Sequence, residues 1–259
     1  MKLGDFSELA KYYHSRPAYP QAMVKYILDI AGLSAKSEFN IAEAGAGTGK
    51  MTAVMRAVAP NAKIIAVEPN DEMRAEGIKA VPSVEFIKGT GENTTLSDNF
   101  ADFACMASSF HWTDHTKSLP EFKRILKPGG FFCVISNSRD VEKNKLMLEI
   151  ENEIYKMIPN LIRNTSDTDK KPRNYDEILI STGDFKDCVE MKMPYTEKFS
   201  KERYMAAWKS VNDIQAQAIE QGGKKLWEDV LTMIEHKISG LDNIIQYYII
   251  KAFVVKSTK

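Results

Sequence analysis

Short apolar segments alternate with helical stretches between residues 39 and 136, and this alternation constrains the fold more than any other feature of the chain. Five apolar segments are predicted to be strands, at residues 39–44, 63–68, 84–88, 101–107 and 130–136. The intervening stretches with a helical pattern are residues 51–58, 71–79 and 116–126. Strands that alternate with helices predict a parallel sheet with helices on both faces, and right-handed crossovers leave little choice of topology.

The flanking regions add helices and two further strands. Residues 6–30 predict two helices separated by a proline turn, because each proline disfavours helix in the residue before it. After residue 136 the predicted elements are a helix (142–157), a mobile polar loop (164–174), a short helix (175–182), a strand (188–193), a mostly helical region (200–239) and a final strand (244–255). We therefore expect an α/β fold that is doubly wound and Rossmann-like, with a seven-stranded, mostly parallel sheet and a helical cap.

The domain organisation follows from this order of elements. We divide the chain into N-terminal lid helices (1–38), a Rossmann-like core that would bind the cofactor (39–140), and a region (141–259) that combines the helical cap with the last two strands of the same sheet.

The charge balance and the cysteines exclude several classes of protein. Lys plus Arg and Asp plus Glu both number 35, so the whole chain has no basic footprint for nucleic acid. Cys105, Cys133 and Cys188 are odd in number and not closely spaced, which disfavours a disulfide framework or a paired-cysteine metal site and indicates reduced thiols. Because no apolar segment approaches the length of a membrane span, we expect a cytoplasmic protein with no membrane partner.

A glycine-rich turn, Ala-Glu-Ala-Gly-Ala-Gly-Thr-Gly at residues 42–49, follows the first strand and opens a helix. It departs from a phosphate-binding Walker A loop, since Ala44 stands where the first glycine belongs and Met51 follows Lys50. It departs from the dinucleotide fingerprint as well, because Lys50 stands where the third glycine belongs. The spacing instead suits a nucleoside without a pyrophosphate. The alternative, a plain turn from strand to helix, would need only one glycine.

Glu68 ends the second predicted strand, and a carboxylate at that position can accept hydrogen bonds from both hydroxyls of a ribose. NAD-binding domains also carry an acid there, so Glu68 indicates adenosine without identifying the rest of the ligand. A glutamate at a strand end, taken alone, is usually just solvated.

The segment 110–115, Phe-His-Trp-Thr-Asp-His, lies just beyond the fourth strand, where ligands bind in open α/β sheets. His111 is a candidate catalytic base for a hydroxyl nucleophile. The alternative is that His111 and Trp112 only form a wall of the pocket. We expect no metal, because His111, Asp114 and His115 share one short turn and such donors seldom converge.

Five motifs carry a resemblance to a known family: EAGAGTGKMT, AVEPNDEMR, GTGENTTLSDNFAD, ASSFHWTD and RILKPGG. In this order and spacing they resemble class I S-adenosylmethionine-dependent methyltransferases over residues 39–136. The flanking segments YYHSRPAYP and PYTEKFS resemble a small-molecule subgroup that includes trans-aconitate methyltransferase-like proteins. These motifs are specific for the superfamily and do not identify a substrate.

The resemblance implies S-adenosylmethionine as cofactor, with S-adenosylhomocysteine as product, and it implies the residues that bind it. These are Tyr12, Arg16, Glu43, Gly45, Ala46, Gly47, Gly49, Glu68, Pro69, Met73, Thr90, Gly91, Glu92, Ser108 and Phe110. By this resemblance the glycine loop wraps the methionine part, Glu43 reaches its amino group and Glu68 holds the ribose. Thr90 and Gly91 depart from the Asp-Ala that many relatives carry there.

The remaining implied contacts lie around the adenine and in the N-terminal lid. Pro69 and Met73 would pack near the adenine, and Ser108 would lie beside the cofactor. Tyr12 and Arg16 belong to the lid, where Arg16 could pair with the methionine carboxylate. Arg16 could instead be a surface arginine that fixes the proline turn.

The expected reaction is transfer of a methyl group to an oxygen, or less readily a nitrogen, of a small polar metabolite such as a carboxylate, sugar or natural-product precursor. Some of Tyr195, Tyr204 and Trp208 could line its pocket. The alternatives are a non-catalytic S-adenosylmethionine-binding protein and an NAD-dependent oxidoreductase. A nucleic-acid methyltransferase is disfavoured, since no Pro-Pro-Tyr/Phe signature follows the fourth strand. The oligomeric state is not predictable from these features.

Overall fold

The computed structural model describes residues 7–163 and 174–259. These residues form two compact units, which we describe separately. The glycine-loop unit comprises residues 18–137, 174–193 and 250–259. The aromatic unit comprises residues 7–17, 138–163 and 194–249. The three-part division made from the sequence stays a prediction.

Seven strands form one sheet in the order β3-β2-β1-β4-β5-β7-β6. The strands are β1 (Asn40–Ala44), β2 (Lys63–Val67), β3 (Glu85–Ile87), β4 (Ala101–Ala107), β5 (Leu126–Arg139), β6 (Phe185–Phe199) and β7 (Ile244–Ser257). The pairs β1–β2, β1–β4, β2–β3 and β4–β5 are parallel. This order confirms the predicted α/β class, and it makes β1 and β4 neighbours where the strand order reverses.

Helices connect the strands. They are α1 (Gln21–Ile30), α2 (Lys50–Val58), α3 (Asp71–Ala80), α4 (His115–Ile125), α5 (Lys145–Met157), α6 (Tyr175–Ile180), α7 (Lys201–Lys209) and α8 (Asn212–Ile238). Three 3₁₀ segments occupy Ser7–Ser15, Phe110–Trp112 and Val141–Lys143. Gly223 interrupts α8 with a φ of 70°, so the region predicted as mostly helical contains a kink. The predicted mobile loop at 164–174 lies almost wholly outside the described residues.

The core of the glycine-loop unit forms around β4, whose apolar side chains are buried along its length, as expected for a central parallel strand. Helix α4 contributes Leu119, Phe122 and Ile125, which share one helical face and are fully buried. Phe122 stacks on Phe132 of β5 with ring centroids 4.1 Å apart. Each such side chain contributes roughly 1.5–3 kcal/mol by leaving water, so this packing holds β4 and its carboxyl end rigidly.

The aromatic unit has its own core around α5, α7 and α8. Met147, Ile150 and Ile154 line one face of α5 and pack in a cluster that contains Trp208 and Trp227. A core rich in large rings needs polar partners for its indole N–H and phenol O–H groups.

Two expectations about the chain as a whole can be compared with the structure. Cys105 and Cys133 are buried and Cys188 is partly buried, and none of the three is paired in the described residues. Within residues 7–163 and 174–259, no helix combines the length and apolar character needed to cross a membrane.

Candidate cofactor site at the carboxyl edge of the sheet

The glycine loop connects the end of β1 to the start of α2. Gly45, Gly47 and Gly49 have φ values of 68°, 57° and 78°, which side chains other than glycine rarely adopt. The backbone therefore needs glycine at all three alternate positions, and a plain turn with one glycine would not produce this path. The three glycines of the sequence motif are thus the three positions at which the loop has a positive φ.

The loop is held against the ends of the neighbouring strands. The backbone N–H groups of Gly45 and Ala46 both donate to the carbonyl of Val67, at 2.9 and 3.1 Å, at the end of β2. The Ser109 hydroxyl donates to the carbonyl of Ala44 at 3.1 Å. A Cβ on Gly45 would lie 2.6 Å from the Cβ of Ser109, so only glycine permits this close approach.

Glu68 lies directly beside the loop. Its carboxylate accepts the backbone N–H of Gly47 at 2.7 Å and that of Asn70 at 2.9 Å. Burial raises the pKa of this carboxyl, while the two N–H groups and the charge of Arg74 work against the rise. Each oxygen accepts one hydrogen bond in this arrangement, and a carboxylate oxygen can accept a second. The two strongest sequence signals, the glycine loop and Glu68, are therefore brought together by one hydrogen bond.

Glu43 is buried between β1 and α2, with 1% of its surface exposed. Burial raises the pKa of its carboxyl to about 8, the hydrogen bond from the Thr52 hydroxyl opposes this rise, and the nearby charge of Glu68 adds to it. At neutral pH the group is consequently mostly protonated. Its expected contact with an amino group of the ligand stays a prediction.

Helix α3 brings Met73 to the loop, and Pro69 precedes it in an exposed position. The Asn70 side chain caps the helix by accepting the N–H of Met73 at 2.9 Å. Met73 is buried, and its terminal methyl lies 3.4 Å from where a Cβ of Gly47 would be. Met73 thus packs against the loop, on the side that Glu68 also borders.

The segment Thr90-Gly91-Glu92 follows β3 and is attached to the turn after β4. The Thr90 hydroxyl accepts the N–H of Glu92 at 3.2 Å, and the Glu92 carboxylate accepts the N–H of Asp114 at 3.0 Å. A Cβ on Gly91 would lie 2.7 Å from the methyl group of Thr113, so this approach also requires glycine. The three residues predicted to border the adenine thus lie close to the segment that contains His111.

Ser108 follows β4 and adopts a φ of 52°, a left-handed conformation uncommon outside glycine. Its hydroxyl lies 2.8 Å from the phenolic oxygen of Tyr19, which is buried. Strained residues of this kind cluster at functional sites. Sequence reasoning chose Tyr12 and Arg16 from the N-terminal segment and missed Tyr19, although the following Pro20 signals a fixed extended backbone there.

Phe110 and His111 begin the turn beyond β4. The Phe110 ring is buried in the core, stacks on His115 with centroids 4.3 Å apart and meets Phe132 edge-on at 5.8 Å. His111 is partly exposed, and its ring centroid lies 5.1 Å from that of Trp112. His111 is thus placed where a ligand could reach it. The Phe110 ring lies in the core, and its cofactor contact stays a prediction.

The possible metal donors of this turn have other roles. The Nε2 atom of His115 lies 3.3 Å from the carbonyl of Phe110, and the Asp114 carboxylate accepts the N–H of Thr116. In the part of the chain that the structure describes, no group of three His, Cys, Asp or Glu side chains is arranged to hold a metal ion.

Tyr12 and Arg16 lie in the aromatic unit. The Arg16 guanidinium donates to the hydroxyl and to the carbonyl of Ser210, both at 2.7 Å, and lies 4.4 Å from the centroid of the Tyr13 ring. The Tyr12 ring has Lys11 and Lys209 at 5.1 and 6.0 Å. Arg16 therefore has partners inside its own unit, and the cofactor contacts of Tyr12 and Arg16 stay predictions.

Comparisons with known proteins agree with this geometry. Residues 42–134 match a family described as a methyltransferase domain. An uncharacterised methyltransferase of Mycobacterium tuberculosis is 34% identical over 140 residues, 54% of this chain and 54% of that protein. The chain thus spans about half the length of the curated relatives it matches.

Solved structures agree in fold. The chain resembles a proposed type II methyltransferase from Anaeromyxobacter dehalogenans with a TM-score of 0.62 and 14% identity, over 93% of this chain and 97% of that one. It resembles the YcgJ protein from Bacillus subtilis with a TM-score of 0.55 and 12% identity, over 90% and 98%. At these identities the likeness shows the Rossmann-like fold alone. The trans-aconitate subgroup stays a prediction. Residues 42–134, which carry the glycine loop and Glu68, match the methyltransferase domain family, and this match confirms the resemblance to class I S-adenosylmethionine-dependent methyltransferases there.

Proposed function

We propose that the chain is an S-adenosylmethionine-dependent methyltransferase that methylates an oxygen of a small polar metabolite, such as a carboxylate, a sugar or a natural-product precursor. One observation carries this proposal: the Gly47 N–H donates to the Glu68 carboxylate, which joins the glycine loop to the acid at the end of β2. A loop shaped for close backbone approach, next to an acid with free acceptor capacity, suits a nucleoside that carries an amino acid.

The residues present fit that cofactor. The absence of side chains at Gly45, Gly47 and Gly49 leaves backbone against which the amino-acid part could lie, and Glu68 would hold the ribose hydroxyls. Met73 offers an apolar side chain for the adenine. Tyr12, Arg16, Glu43 and Ser108 are further binding residues in the proposal.

The cofactor, when bound, supplies a methyl group already activated by its sulfonium. The protein's contribution is to hold the acceptor oxygen in line with that methyl group and to exclude water. Such positioning can supply roughly 7–11 kcal/mol of the barrier reduction. A carboxylate acceptor needs no base. A hydroxyl acceptor must lose its proton, and the His111 imidazole is the residue we propose to take it.

Isothermal titration calorimetry with S-adenosylhomocysteine and with NAD tests the proposal. We expect the wild-type protein to bind S-adenosylhomocysteine and not NAD. Glu68→Ala should weaken binding about tenfold or more, because hydrogen bonds to a charged group are strong. Glu72→Gln, which changes an exposed carboxylate four residues away, is the matched control and should bind as the wild type does.

Because Glu68 also holds the loop, a second comparison isolates its contact with the ribose. The wild type should bind S-adenosylhomocysteine more tightly than its 2′-deoxy and 3′-deoxy analogues, and Glu68→Ala should lose this discrimination. Equal loss of affinity for all three compounds would contradict the ribose contact. Failure of the wild type to bind S-adenosylhomocysteine would overturn the proposed function.

A further inference from the structure

Arg139, at the end of β5, lies next to two large aromatic side chains of α7 in the aromatic unit. Its guanidinium carbon is 5.0 Å from the centroid of the Trp208 ring. The Trp208 and Tyr204 rings meet edge-on, with centroids 6.3 Å apart. Trp208 is 1% exposed and Tyr204 is 3% exposed, whereas Arg139 is only partly buried. Of these three residues, Arg139 is therefore the one with appreciable solvent exposure.

The polar atoms of the two rings are poorly satisfied within the described residues. The Tyr204 hydroxyl and the Trp208 indole nitrogen are buried, and neither forms a hydrogen bond within the described part of the chain. An unpartnered buried donor is expensive, so native structures contain few of them and each calls for an explanation. The two groups lie near one another and near Arg139: the Trp208 indole N–H, which faces the Tyr204 hydroxyl, and the charge of Arg139 both oppose the rise in the Tyr204 pKa that burial causes. The indole and the hydroxyl do not reach the geometry of a hydrogen bond, so neither satisfies the other.

The charge of Arg139 is not matched by an acid. Two carboxylates lie near this cluster: Glu197 pairs with Arg203 at 2.6 Å, and Glu151 pairs with Arg163 at 2.7 Å. Over residues 7–163 and 174–259, no ion pair includes Arg139. Arg139 instead acts on the hydroxyl of Tyr248, where its charge and a hydrogen bond from its guanidinium work against the rise in pKa caused by burial.

We propose that Arg139, Tyr204 and Trp208 bind an oxyanion, a carboxylate or a phosphate, of a small-molecule ligand. A guanidinium and an indole N–H can only donate, and a phenol can donate, so the complementary ligand group must be rich in acceptors. The stacked rings of Tyr195 and Tyr248, 5.3 Å apart, supply an apolar surface for the rest of the ligand. Anion binding at these residues does not depend on the proposed function.

Calorimetry with three probes tests this site: benzoate, phenyl phosphate and neutral benzamide, each titrated with and without saturating S-adenosylhomocysteine. We expect benzoate or phenyl phosphate to bind and benzamide not to bind. Binding of benzoate alone identifies a carboxylate, binding of phenyl phosphate alone identifies a phosphate, and binding of both supports the oxyanion site without distinguishing them. If neither anion binds, or if benzamide binds as tightly, the proposal is wrong.

Variants assign the binding to these side chains. Arg139→Met should weaken anion binding about tenfold or more, and Arg139→Lys should restore part of it because the charge returns without the planar fork. Lys225→Met removes one exposed positive charge elsewhere in the same unit and should change binding less than about twofold, since exposed charges are screened. Unchanged binding by Arg139→Met would overturn the assignment.

Tyr204→Phe separates ligand binding from a purely structural role. Removing an unpartnered buried hydroxyl should raise the unfolding midpoint of the free protein and at the same time weaken anion binding. A hydroxyl with only a structural role would give a lower midpoint and unchanged binding. If the protein binds the anion but not S-adenosylhomocysteine, the proposed function fails and the oxyanion site stands.

Discussion

Replacing Glu43 by glutamine should change how the stability of this protein depends on pH. In the folded state burial raises the pKa of Glu43 to about 8, compared with an ordinary value of 4.5. The folded state therefore holds a proton that the unfolded state releases above pH 4.5. The stabilisation from this group is complete below that value, is lost as the pH rises through about 8, and changes no further above it.

The magnitude follows from the size of the pKa difference. One pKa unit corresponds to about 1.4 kcal/mol, so the full loss between the two pKa values is of the order of 5 kcal/mol. Between about pH 5.5 and about pH 7.5, both inside this window, the wild type should lose roughly 2–3 kcal/mol of unfolding free energy through this one group. Glutamine keeps the shape and can accept the Thr52 hydrogen bond, but it does not titrate.

Urea denaturation followed by circular dichroism at several pH values measures this effect. We expect Glu43→Gln to be nearly as stable as the wild type near pH 5.5 and clearly more stable near pH 7.5 and above, because only the wild type must ionise a buried carboxyl. Glu72→Gln, an exposed control, should follow the wild type at every pH. A constant difference between Glu43→Gln and the wild type across the range would refute the argument.

Two further substitutions test the packing of each unit by chemical denaturation. Gly45→Ala should cost about 2 kcal/mol or more, since it combines a positive φ with a Cβ placed 2.6 Å from that of Ser109. Adding Ser109→Gly should recover the part due to the clash, and no recovery would contradict that account. Arg163→Met should cost about 3–5 kcal/mol, because it leaves the buried carboxylates of Glu151 and Asp213 without their shared arginine. A loss below about 1 kcal/mol would show that the pair of acids is solvated.

Much of the fold could be predicted because most helices and strands are indicated by residues close together in the sequence. Strand β4 is apolar on both faces and α4 has a regular apolar face, so neighbouring residues alone indicate a buried parallel strand followed by a packed helix. The proline turn before α1 was predictable for the same reason. The interruption of α8 at Gly223 was missed, although the Gly222–Gly223 pair is a local signal for a break in a helix.

Part of the candidate cofactor site could likewise be predicted from the sequence, and part of it could not. The need for glycine at Gly45, Gly47 and Gly49 and the position of Glu68 at a strand end follow from order along the chain. The hydrogen bond between Glu68 and Gly47, and the contact of Tyr19 with Ser108 across 89 positions, depend on which strands become neighbours. No local pattern contains that information.

The amino-acid sequence was therefore sufficient for the α/β class, the glycine loop and the acid beside it, because these depend on residues close together along the chain. Only the tertiary structure decided that Glu43 is desolvated enough to stay protonated at neutral pH, and that Arg139 has two unpartnered aromatic donors rather than an acid as neighbours. The physical reason is that a pKa and an unsatisfied hydrogen bond are properties of the whole surroundings of a group, and packing between distant segments creates those surroundings.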